Sequence, residues 1–253
     1  MKSRKVAFKG SQGEKLSARI DEPEDGITKG TALFAHCFTC SKNLKAVGRI
    51  GQALTDKGMG VLRFDFTGLG ESEGDFADTN FSSNVEDLVK AAEYMKNEFE
   101  APRMLIGHSL GGAAVLQAAH LISSVEAVAT IGAPCSPRHV AHLLVDKKEE
   151  ITEKGEARVQ LAGRVFTIKK QFLDDLNEQN MDNIISNLGK ALLIFHSPID
   201  KTVGIENAAH IYKLAKHPKS FISLDDADHL LTNEEDALYV GKVAGAWVER
   251  YLK

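Results

Sequence analysis

Gly107-His108-Ser109-Leu110-Gly111 fits G-x-S-x-G, the pattern in which a serine sits on a sharp turn between a strand and a helix with its hydroxyl exposed. The apolar run Met104-Leu105-Ile106 precedes it and an alanine- and leucine-rich stretch, Gly111 to Ile122, follows it. Gly107, Gly111 and Gly112 supply room for a turn that holds Ser109 in a strained backbone conformation. The helix beginning beside Ser109 would aim its first amides and its positive dipole end at a developing oxyanion. The implied chemistry is attack on a carbonyl by an activated hydroxyl.

Such a serine needs a base, and the base a carboxylate to orient it, in the chain order Ser, Asp or Glu, His. Among nine histidines, His229 is the best base: Asp225-Asp226-Ala227-Asp228-His229-Leu230 is a loop after the last strand, at the C-terminal edge of a parallel sheet. His120 and His210 fall in helical stretches, His139 and His142 in a charged insertion, and His217 precedes Pro218. For the acid, Asp200 follows the strand Ala191 to Phe195. Asp225, Asp226 and Asp228 are too near His229 in one turn to reach around its ring, and read as turn and solvation residues.

The elements that must position these groups read as an α/β chain. Strand-like runs at Val6–Lys9, Leu16–Ile20, Thr31–His36, Val61–Phe64, Met104–Ile106, Val125–Ile131, Ala191–Phe195 and Ser220–Leu224 alternate with helical patterns, as in a mostly parallel sheet. The helices are Asn84–Phe99, Gly111–Ile122, Glu206–Ala215 and Glu234–Leu252. Gly10-Ser11-Gln12-Gly13 joins the first two strands as a hairpin, giving an antiparallel edge. One domain over residues 1–253 is expected, with a small cap insertion at about 137–189. That cap holds a hairpin, Arg158–Leu161 and Val165–Ile168 around Ala162-Gly163-Arg164, and a short helix at Gln171–Leu176.

Composition narrows the class. The 253 residues carry 31 Lys+Arg against 35 Asp+Glu, with no basic stretch that would track a phosphate backbone, so no nucleic-acid partner is expected. No run approaches the roughly 20 apolar residues needed to span a bilayer, and the basic start lacks the apolar core of a secretory signal. A cytoplasmic protein without a membrane partner is the expectation. Three cysteines do not make a disulfide framework and agree with a reducing compartment. Cys37-Phe38-Thr39-Cys40 forms a C-x-x-C, weighed as a zinc site or redox pair, but read as small buried residues lining the site floor. Gly68-x-Gly70-x-x-x-Gly74 is no nucleotide loop, since Glu71, Glu73 and Asp75 would repel a pyrophosphate. No cofactor and no metal are expected. Phe38, Phe66, Phe76, Phe166 and Phe172 fall in loops or the insertion, where some could wall an acyl or alcohol pocket.

Together these residues resemble the α/β-hydrolase superfamily over nearly the whole chain. The resemblance implies an eight-stranded, mostly parallel sheet with helices on both faces and a small cap. Gly107 to Gly111 resembles the nucleophile elbow, Asp200 the acid after the seventh strand and His229 the base after the eighth. Ala35-His36-Cys37-Phe38-Thr39 resembles the oxyanion loop, with Cys37 where glycine is usual. By that match the backbone N–H groups of Phe38 and Leu110 are the oxyanion donors. Arg63-Phe64-Asp65-Phe66-Thr67-Gly68-Leu69-Gly70-Glu71-Ser72 is similar to a segment common after the fourth strand, and the runs Cys37 to Asn43 and Phe64 to Gly74 resemble the hydrolase half of bacterial proteins fusing such a domain to an OsmC-like peroxidase domain. The expected activity is a serine hydrolase, foremost a carboxylesterase on short to medium acyl esters of a small molecule. Thioesterase, amidase or acyltransferase chemistry would use the same triad, and a ligand-binding relative with vestigial hydrolysis is the reading of another class.

Overall fold

A computed structural model describes residues 1–161 and 163–252. Ala162, in the expected hairpin turn, lies outside the described residues. The accessible surface is 11061 Å², matching the roughly 11,000 Å² expected of a compact chain of this mass.

The chain opens with β1 (Lys2–Lys9) and β2 (Lys15–Glu22), the expected hairpin, then β3 (Gly30–Ala35), α1 (Lys45–Thr55), β4 (Met59–Phe64), α2 (Phe81–Glu98), β5 (Met104–His108), α3 (Leu110–Ala118) and β6 (Ala127–Ile131). A 3-10 helix at Pro137–Lys147 leads into α4 (Lys148–Lys154), the hairpin β7 (Glu156–Leu161) and β8 (Arg164–Lys169), α5 (Lys170–Glu178) and α6 (Met181–Ser186). The chain then closes through β9 (Ala191–His196), α7 (Glu206–Leu214), β10 (Lys219–Ser223) and α8 (Glu234–Val248).

The main sheet has eight strands in the order β1-β2-β4-β3-β5-β6-β9-β10. From β4 to β10 all neighbours run parallel, while β2 is antiparallel to both β1 and β4. The order turns back on itself beside β3, with β4 on one side and β5 on the other, and such a switch point opens a crevice outside the carboxyl ends of the strands.

Period-two alternation divides the core between the faces. Leu33, Leu105, Val128, Leu192 and Ile194 pack with α2 and α3, while Phe34, Ile106, Ala129, Leu193 and Phe195 pack with α1 and α8. α1 is absent from the sequence reading because Gly48 and Gly51 lower its helix propensity. Burial of Ala46, Val47, Ile50, Ala53 and Leu54 along one stripe outweighs that cost. α2 starts three residues earlier than its hydrophobic pattern suggests: the Asn80 side chain accepts from Ser83 N–H and the Ser83 hydroxyl accepts from Asn80 N–H, a reciprocal cap. α3 stops at Ala118, so His120 lies in the following turn rather than inside a helix.

Between β6 and β9 the chain holds more helix than the sequence suggests. Val140, Leu144, Ile151, Phe166, Phe172 and Leu176 of this stretch belong to the same core as α2 and α3. Asp175 accepts from the Ser82 backbone N–H at 3.0 Å, tying α5 to α2.

Candidate active site

Ser109 stands between the last residue of β5 and the first of α3 with φ 55° and ψ −126°, a left-handed region that side chains avoid. Ser109 N–H donates to Ile131 O at 2.9 Å and Gly112 N–H donates to Ser109 O at 2.8 Å, which hold the turn. The turn passes so close to its neighbours that a Cβ on Gly111 would lie 2.5 Å from the carbonyl oxygens of Ala35 and His36.

The three residues singled out as nucleophile, base and acid meet at the carboxyl ends of β5, β9 and β10. His229 Nε2 lies 3.0 Å from Ser109 Oγ, and His229 Nδ1 lies 2.7 Å from Asp200 Oδ2. A carboxylate only accepts, so Nδ1 carries the proton and Nε2 is left to accept from the hydroxyl. Asp200 is 8% exposed, and its Oδ1 accepts from the N–H groups of Thr202 at 2.8 Å and Val203 at 2.9 Å. Burial alone would raise its pKa, but the hydrogen bonds from His229, Val203 and Thr202 outweigh it and hold the carboxyl below its ordinary range. The row can therefore take a proton from Ser109 and stabilise the resulting imidazolium.

The two amides matched to the oxyanion donors belong to Leu110, the residue after Ser109, and to Phe38, on the loop after β3. Leu110 opens α3, so its N–H belongs to a first turn that lacks preceding carbonyls. Phe38 N–H donates to no acceptor among the described residues. A cavity lined by Phe38, Leu110, Gly111, Phe66 and Asn84 lies beside them, with about 10 Å³ of room for the centre of a water-sized sphere, enough for about one water. Phe38, Phe76 and Phe172 form mutual ring contacts at 5.5 to 6.5 Å, and Phe76 meets Phe166 at 4.8 Å. Phe66 instead packs edge-on against His36 and Phe64.

One expectation is corrected. Cys37 and Cys40 are not separate buried thiols but a disulfide, with Cα atoms 5.3 Å apart, within bridging range. The bond closes the loop after β3 around Phe38. Cys135 is free and half-buried, and burial pushes its thiol pKa up. Among the described residues no group of three or more His, Cys, Asp or Glu is arranged to hold a metal ion.

The glycine-bearing turn after β4 encloses a carboxylate rather than a phosphate. Asp65 is fully buried and accepts from the backbone N–H groups of Lys42 at 2.6 Å and Glu71 at 2.9 Å. The fully buried Lys42 ammonium bonds to Asp65 and, at 2.8 Å, to Glu71. Those contacts from Lys42 hold the Glu71 carboxyl down at about 2. The network fastens the end of the loop after β3, at Lys42, to the turn after β4.

Three further histidines, to which the sequence analysis assigns no individual role, lie at the same ends of the strands. His36, His108 and His196 are buried at the ends of β3, β5 and β9. Burial, helped by the neighbouring His229, pushes the His108 pKa down to about 4, and burial also lowers that of His36. Their signal in the sequence is position: each ends or directly follows an apolar strand run.

The model of the family described as serine aminopeptidase, S33, a hydrolase family, matches residues 28–175 of this chain. The chain belongs to that family. The match includes Ser109 and the loop after β3 and stops before Asp200 and His229. Among solved structures, the esterase domain of a Rhodothermus marinus protein is 52% identical, with a TM-score of 0.82 and coverage of 100% of both chains. An uncharacterised protein, YfhR of Salmonella typhi, is 22% identical over 216 residues, 85% of this chain and 68% of its own length. The mitochondrial palmitoyl-protein thioesterase ABHD10 of Rattus norvegicus is 28% identical over 128 residues, 49% of this chain and 42% of that protein. As a member of this hydrolase family the protein has the α/β-hydrolase fold, and no helix among its described residues is long and apolar enough to cross a membrane.

Proposed function

We propose that this S33-family protein is a serine hydrolase cleaving carboxylic esters of short to medium acyl groups through an acyl-enzyme. The observation that carries the reading is the continuous row Ser109 Oγ, His229 Nε2, His229 Nδ1, Asp200 Oδ2, with separations of 3.0 and 2.7 Å. In this reading His229 takes the Ser109 proton as Oγ attacks the carbonyl carbon, and Asp200 stabilises the imidazolium. The Phe38 and Leu110 amides hold the oxyanion, which exists only in the transition state and the tetrahedral intermediate. His229 then returns the proton to the departing alcohol, and water, activated by the same base, releases the acyl group. The likeness to the Rhodothermus marinus esterase domain over the whole chain supports an ester as substrate. The closely packed rings of Phe38, Phe76 and Phe172 support a short acyl group.

A thioester is the second reading, favoured by the likeness of about half the chain to a palmitoyl-protein thioesterase. Turnover of a matched ester, thioester and amide of one acyl group separates the leaving groups. A higher kcat/KM for the ester supports the first reading, a higher value for the thioester the second, and preference for the amide overturns both.

A further inference from the structure

Three buried histidines have no part in proton transfer. His36, His108 and His196 are 1%, 3% and 0% exposed and stand at the carboxyl ends of β3, β5 and β9. Each places a ring nitrogen on a main-chain carbonyl: His36 Nδ1 on Cys37 O at 2.8 Å, His108 Nε2 on His229 O at 2.7 Å, and His196 Nε2 on Val203 O at 2.7 Å. A carbonyl can only accept, so the ring N–H donates in every case. The three carbonyls belong to three different loops, those of the oxyanion donor, the base and the acid.

Each bond acts on the neighbouring functional group. Across a planar trans peptide the C=O and the N–H point in opposite directions. By holding Cys37 O, His36 therefore turns the Phe38 N–H away from itself. Its tautomer is set from the other side, since Phe66 N–H donates to His36 Nε2 at 3.4 Å. His108 holds the carbonyl of the base itself. His196 holds the carbonyl of Val203, whose own N–H donates to Asp200 Oδ1 at 2.9 Å.

We infer that His36, His108 and His196 are positioning residues for acyl transfer, each fixing through one main-chain carbonyl the loop that carries the oxyanion amide, the base or the acid. The inference rests on the proposed roles of Ser109, His229 and Asp200. Burial favours the neutral form of His36 and His108, in which a single ring N–H is available to donate. The geometry asks only for that N–H, so an amide side chain that supplies it at the same place will serve. Asparagine carries an N–H where Nδ1 stands, and glutamine one near Nε2.

The test compares His36→Leu, His108→Leu and His196→Leu with His36→Asn, His108→Gln and His196→Gln. The readouts are kcat and KM on a p-nitrophenyl ester, with kcat expressed per active site titrated by a covalent phosphonate. Counting sites removes loss of folded protein from the comparison. Displacing a reacting group by about 1 Å costs on the order of 10²-fold, so each leucine variant is expected to lose at least about tenfold in kcat with KM moved less than about threefold. The asparagine and glutamine variants return to within about threefold of the wild type. Leucine variants with wild-type kcat per titrated site would overturn the inference and leave the rings as packing alone. Should a leucine variant not fold, nitrogen NMR of the wild type decides: a proton on Nδ1 of His36 and on Nε2 of His108 and His196 supports the inference, and any opposite tautomer overturns it. Ser109→Ala run in parallel separates the two layers, because retained turnover in that variant removes the triad reading and the inference with it.

Discussion

Gly132 packs against His229. It follows the last residue of β6 with φ +54°, and a Cβ built on it would stand 3.3 Å from His229 Nδ1 and 3.2 Å from Asp200 Oδ2. His229 and Asp200 thus meet over a backbone with no side chain, in a conformation that glycine adopts without strain.

Gly132→Ala is expected to cost about 1–2 kcal/mol of stability from the left-handed backbone. It also crowds the bond between His229 and Asp200, and kcat is expected to fall by about tenfold with KM little changed. Urea unfolding and steady-state kinetics check both; an alanine variant with unaltered kcat would remove the crowding argument.

The second prediction concerns substrate size. Phe172 is 2% exposed and packs on Phe38 and Phe76. Phe172→Ala removes that ring at a cost of about 3–5 kcal/mol. The opened space is expected to raise the ratio of kcat/KM for an octanoyl over an acetyl ester at least about tenfold. An unchanged ratio in folded protein would mean that Phe172 does not bound the acyl pocket.

The third follows from linkage. The folded-state pKa of His108 is about 4 against an ordinary 6.5, so between those pH values the unfolded chain binds the proton and the native protein does not. Stability therefore rises with pH across this window, fully present above about 6.5 and lost as pH falls toward 4, by about 3 kcal/mol in total. His36, lowered in the same direction by burial, adds to the slope. Urea unfolding at several pH values should give a steeper rise for the wild type than for His108→Gln, and equal slopes would contradict the burial argument.

Much of this architecture is legible in the sequence where local pattern and burial agree. The central strands β3, β4, β5, β6 and β9 are fully buried runs bounded by turns, Ser109 and Asp200 follow two of them at the carboxyl end, and His229 follows the more polar β10. The carbonyl that meets His108 lies 121 residues away, beyond any local pattern, while those that meet His36 and His196 are one and seven residues away and depend on ring orientations that the sequence does not carry. α1 was hidden by two glycines whose low propensity is outweighed by tertiary packing. The bond between Cys37 and Cys40 was hidden because an odd cysteine count reads as reduced thiols, while proximity is a property of the loop.

Catalysis by Ser109 is the central claim, and hydrolysis of p-nitrophenyl esters of increasing acyl length by wild type and Ser109→Ala tests it most directly. Turnover of short esters by the wild type, with a loss of at least about 10³-fold in kcat for Ser109→Ala, is the predicted result. Ser109→Ala retaining most of the activity, or a wild type that turns over none of the esters, would contradict it.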